Sequence, residues 1–86
     1  MNSDELNDLK SAVDAALQGN WEQAHEIAQE SEALMANWIH AVLHKIEGDA
    51  GNSRYWYARA RKNYGDYLDP ILELKAIAAE LNEKNV

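Results

Sequence analysis

The sequence predicts an all-α domain of about five short helices, and three observations carry that prediction. Ala, Leu, Glu and Lys, all good helix formers, dominate the chain, and Pro70 is the sole proline. Apolar residues recur at three- and four-residue spacing in successive windows, without strand-like alternation of useful length. Glycine followed by Asn or Asp, at Gly19-Asn20 and Gly48-Asp49, punctuates those windows where helices end.

The first helix has Ser3 or Asp4 as its expected cap, and Asp4 and Glu5 favour its positive end. Its apolar stripe is Leu6, Leu9, Val13, Ala16 and Leu17, and Gly19 closes it. A second helix begins near Asn20, carries Trp21, Ala24, His25 and Ala28 on one face, and fades over Ser31 to Leu34. The third, roughly 36–47, has Ile39, Val42, Leu43 and Ile46 as its core stripe. After a break at residues 48–51, Asn52 or Ser53 is the expected cap of a fourth helix with stripe Ser53, Trp56, Tyr57, Ala60 and Tyr64. The segment "NYGDYLDP" reads as a turn. Asp69 as cap and Pro70 at the first position then start a last helix through Ile71, Leu74, Ile77, Ala78 and Leu81. Its tail "NEKNV" is expected to fray. Short links favour antiparallel neighbours, giving one domain over 1–86: a hairpin at about 4–32, another at about 36–64, and a C-terminal capping helix at about 69–84.

Composition narrows the function classes. Fifteen acids against eight bases give a net charge of −7, which argues against nucleic acid as a partner. Without cysteine, neither a disulfide nor a Cys-based zinc site is available, and the reducing cytoplasm is the expected compartment. Residues 1–10 show neither a basic n-region nor an apolar h-region, so no export signal is expected. No apolar run approaches the ~20 residues of a membrane span. The charge is uneven: residues 1–32 hold eight acids and one base, while Arg54, Arg59, Arg61 and Lys62 crowd into nine residues. That basic run reads either as a solvated helix face beside acidic neighbours or as a local anion site.

His40, His44 and Glu47 lie at i, i+4 and i+7, on one strip beside the core stripe of the third helix. His25 lies on the inward stripe of the preceding helix. Two adjacent helices can thus bring three imidazoles together, and a carboxylate of Glu47, Glu22 or Glu26 would complete a four-ligand divalent-metal site. The competing reading is that His25 and His40 are half-buried and hydrogen-bonded across the hairpin. "HAVLH" lacks the glutamate of the HExxH protease motif. Glu22 and His25 form a single ExxH spacing where four-helix carboxylate sites use two. No nucleophile elbow and no phosphate-binding loop is present, so no catalytic residue is assigned.

Seven aromatics, all Trp or Tyr, carry polar atoms that need partners. Trp56 and Tyr57 share the core stripe with Ala60, while Tyr55 sits beside Arg59 and Lys62 at i+4 and i+7. Tyr55, Arg59 and Lys62 read either as rings stacked under cationic side chains or as an exposed interaction surface.

Two resemblances add to this. "LQGNWEQAHEIAQES" and "KIEGDAGNSRYWYARA" resemble the turn and second helix of a tetratricopeptide hairpin, over roughly residues 5–64. The second copy places Gly48, Asp49, Ser53, Tyr57 and Ala60 where that motif has Gly-Asp, a small residue, an aromatic and Ala. The glycines are 29 residues apart, however, against a repeat of about 34 in the motif, and no proline closes either unit. "WEQAHEIAQ" with "WIHAVLHKIEGDAGNSRYWYARA" resembles a group of small bacterial proteins of about this length that carry no assigned activity. That resemblance implies a compact helical cytoplasmic protein and no reaction.

Two functional expectations follow. The first is a non-catalytic helical module acting through a protein partner or self-association over His40, His44, Tyr55, Arg59 and Lys62. The second is a small-ligand or divalent-metal-binding protein using His25, His40, His44 and Glu47.

Overall fold

The computed structural model describes residues 1–84. Five α-helices follow one another: α1 (Ser3–Leu17), α2 (Trp21–Gln29), α3 (Leu34–Ile46), α4 (Ala50–Ala60) and α5 (Pro70–Glu83). Among the described residues there is no strand, and no helix is long and apolar enough to cross a membrane. The expected fraying of the tail falls partly on Asn85 and Val86, which lie outside the described residues; α5 itself continues to Glu83.

The two hairpin turns are built alike. At the end of α1, Gly19 N–H donates to Ala16 O (3.0 Å) and Asn20 N–H to Ala15 O (2.8 Å). At the end of α3, Gly48 N–H donates to Lys45 O (3.1 Å) and Asp49 N–H to His44 O (2.9 Å). Both are Schellman closures, with the glycine left-handed at φ 83° and 84°. A Cβ at either glycine would meet no atom within 4 Å, so the requirement is for backbone conformation rather than space. The next residue then caps the following helix: Asn20 Oδ1 accepts from Gln23 N–H, and Asp49 Oδ1 from Asn52 N–H. One two-residue unit therefore ends one helix and starts the next.

Several expectations need correction. Asn2, not Ser3 or Asp4, caps α1, because its Oδ1 accepts from Glu5 N–H at 2.8 Å. Asp49, rather than Asn52 or Ser53, caps α4, and the Asn52 donors hold its carboxyl below the usual range. Ser53 instead lies buried one turn inside, donating to Ala41 O at 2.7 Å, which lets α4 approach α3 closely. Tyr64 lies beyond α4, which ends at Ala60. The apolar stripes also shift: Ile46 (40% exposed) and Ile71 (41%) face outward, and Glu73 takes the inward place on α5.

Helix α3 is the centre of the molecule. Every residue from Met35 to His44 is buried, because α3 packs against α1, α2, α4 and α5. A stripe reading was too narrow for a helix covered on all sides. Helix α4 has α3 as its one close helix neighbour among the described residues, so its far side faces out. It reaches α5 through Tyr57 alone of the buried polar side chains: the hydroxyl donates to Glu73, whose carboxylate also accepts from Trp38 Nε1 (2.7 Å) and Lys45 Nζ (2.9 Å). Lys45 spends its remaining protons on Tyr64 O and Tyr67 O, fixing the link from α4 to α5. Burial, then the bond to Glu73, raises the Tyr57 phenol well above its ordinary range.

Candidate functional site

The three histidines converge. His25 comes from α2 and His40 and His44 from α3, and one ring nitrogen from each lies within 4.8 Å of the other two. His25 Nε2 and His40 Nε2 are 3.0 Å apart, the hydrogen bond across the hairpin that the competing reading expects, with His40 fully rather than half-buried. Ring centroids are 4.6 Å apart for His25 and His40, 4.9 Å for His40 and His44, and 5.5 Å for His25 and His44. The i, i+4 spacing on α3 stacks two imidazoles one turn apart, and α2 brings the third in edge-on. His40 and His44 are buried and His25 is half-buried, so the cluster opens to solvent on the α2 side.

Indoles close it on both flanks. Trp21 stacks on His25 (4.8 Å, 9° between planes) and is anchored by its N–H donating to Leu43 O at 2.7 Å. Trp56 stacks on His40 (3.9 Å, 13°) from α4. Packing on both sides fixes the rings and leaves them few rotamers. The sequence placed Trp21 on one face with His25 and Trp56 on the inward stripe of α4 with Ala60, but no local spacing brings Trp56 to His40.

The electrostatics favour neutral rings at His25 and His40. Burial, then the charges of His25 and His44, push His40 down to about 4. Burial also lowers His25, with His44 adding to the shift and Glu47 and Glu26 opposing it. Glu47 lies one turn on from His44, its carboxylate Oε1 2.5 Å from His44 Nδ1. A carboxylate there holds the proton on Nδ1 and leaves Nε2 as the ligating nitrogen. The cluster thus brings one nitrogen of each ring together, His25 Nε2 and His40 Nε2 sharing a proton in the hydrogen bond between them. Of the other carboxylates named from sequence, Glu22 and Glu26 are exposed on α2 and join no close group with the histidines. A second group, His44 with Glu47 and Asp49, shares His44 but spends Asp49 on capping α4.

The remaining candidates separate into two places. Tyr55 is 55% exposed on the outer side of α4, with the Arg59 guanidinium 5.8 Å from its ring and 5.3 Å from that of Trp56. Lys62 instead turns to α3, its ammonium 4.3 Å over the Trp38 ring. Arg54 lies over Tyr64 at 4.7 Å. Among the described residues none of Arg54, Arg59, Arg61 and Lys62 makes an ion pair, and all but Arg61 lie over aromatic faces rather than against acidic neighbours.

Compared with protein families, curated proteins and solved structures, the chain matches none.

Proposed function

We propose that this protein is a divalent transition-metal-binding module, the ion held by His25, His40 and His44, with Glu47 behind His44 as its orienting carboxylate. The observation that carries this reading is the convergence of three imidazoles from two helices, two of their nitrogens 3.0 Å apart. At Zn–N distances of 2.0–2.1 Å, nitrogens on a tetrahedral ion sit about 3.3 Å from one another, so the cluster needs only small side-chain rotations. Three imidazoles without thiolate or hard oxygen donors select Zn²⁺, Ni²⁺ or Cu²⁺ over Mg²⁺ or Ca²⁺. Burial of His40 and His25 also favours the neutral, ligating form of those two rings.

Thermal melting with added Zn²⁺ or Ni²⁺ tests the reading. The melting temperature is expected to rise in wild type, less so below pH 6, and not at all in His44→Ala. A wild-type melt unmoved by any of these ions would overturn it.

A second reading, a protein-interaction module, is favoured by the outer side of α4, where Tyr55 and Arg59 are exposed and, among the described residues, no other helix covers them. Burial of His40 and His44 keeps those two out of that surface and leaves Tyr55 and Arg59 as its anchors. Sedimentation is the check for self-association. A wild-type oligomer that dissociates in Tyr55→Ala and Arg59→Ala supports it, and a monomer throughout overturns self-association and leaves only an external protein partner.

A further inference from the structure

Resting on the metal-binding reading, we infer that the bound ion keeps one coordination position that no side chain among the described residues fills, and that this position takes a small exchangeable anionic ligand. The argument is a count of donors. His25, His40 and His44 give one nitrogen each. Glu47, the nearest carboxylate, is engaged at Nδ1 of His44. The two nitrogens of an imidazole point away from each other, so a carboxylate on Nδ1 stands behind the ring and outside the coordination sphere of a metal on Nε2. Asp49 is on that same far side, tied to Asn52 N–H and its side-chain amide. The two flanking residues, Trp21 and Trp56, carry no ligand atom. Helix α2 supplies the less buried edge through His25, and that edge is where a fourth ligand enters.

Three protein ligands and one open position is the donor count of a Lewis-acid site, whereas closed structural sites use four. At neutral pH the open position of a zinc ion holds water acidified to a pKa of about 7, which a small anion displaces. Five surface clefts, among them one beside Trp38 and Lys62 and one beside Asp8 and Glu26, are lined by none of the three histidines, which favours a small ion over a large organic molecule at the cluster.

Cobalt separates this inference from the reading beneath it. Co²⁺ titrated into the intact protein should give visible absorption bands saturating at one ion per chain. Azide added to the Co²⁺-loaded protein should then shift those bands saturably, and Glu47→Gln should show the same azide response with weaker Co²⁺ binding. No saturable band overturns the metal reading and this inference with it. Bands that form but ignore azide leave the metal reading standing and overturn the open position. An azide response that appears only in Glu47→Gln identifies Glu47 as the fourth ligand and overturns it too.

Discussion

Helix α3 carries polar side chains into the interior twice. On one side Trp38 and Lys45 meet Tyr57 and Glu73; on the other His40 and His44 meet His25. In the first cluster donors and acceptors match: one carboxylate receives an indole, a phenol and an ammonium, and the ammonium's other protons go to two carbonyls. Such a set is complete and has nothing to offer a ligand. It joins α3, α4, α5 and the 61–69 link, in a domain too small to be stable on a large apolar core. In the second cluster three like groups face one another, one shared hydrogen bond serves two nitrogens, and protonation of His25 or His40 is opposed by burial and by the neighbouring rings. A matched set is a structural tie; a set of like bases is what the proposed cation site rests on.

The contrast breaks most visibly at Glu73. Glu73→Ala leaves Lys45, Tyr57 and Trp38 buried without their acceptor, and should cost about 3–5 kcal/mol, enough to unfold much of the population. Urea denaturation measures it. His40→Leu, by contrast, removes a buried base whose partners are other bases, and should change stability at neutral pH by about 1 kcal/mol or less.

Acid sharpens the difference. The His40 imidazole falls from an ordinary 6.5 to about 4 on folding, so between those values the unfolded chain binds more protons than the folded one. Stability is therefore complete above pH 6.5 and is lost as pH falls toward 4, by on the order of 2–3 kcal/mol. His25 shifts in the same direction and adds to the loss. Denaturation midpoints across this window should slope in wild type and flatten in His40→Leu.

How much of each cluster was legible follows from where its partners sit in the chain. His40, His44 and Glu47 share one helix strip, so their i, i+4, i+7 spacing announces them, and His25 needs only the neighbouring hairpin to join. Glu73 is bound from positions 35, 28 and 16 residues away. No local pattern joins Trp38, Lys45 and Tyr57 to it, and a glutamate in an exposed-looking first turn reads as a favourable dipole partner. Its one signal was the i, i+4, i+8 spacing with Ile77 and Leu81 on the buried face. The caps at Asn2 and Asp49 were misplaced by one to four residues because capping depends on which backbone turns non-helical, which neighbouring polar residues do not decide.

A smaller effect distinguishes the orienting carboxylate from the ligands. Glu47→Gln keeps the hydrogen bond's shape but not its charge, and should weaken Zn²⁺ binding about tenfold. Being exposed, Glu47 should leave folding stability within about 0.5 kcal/mol, so calorimetric affinity and the denaturation midpoint part company in this variant.

Tryptophan fluorescence during Ni²⁺ titration tests the central claim most directly, because Trp21 and Trp56 stack on two of the three imidazoles. Quenching should saturate at one ion per chain in wild type and vanish in His25→Gln and His44→Ala variants that keep wild-type circular dichroism. Emission that ignores Ni²⁺, or quenching equally strong in both variants, would contradict the reading of this cluster as a cation site.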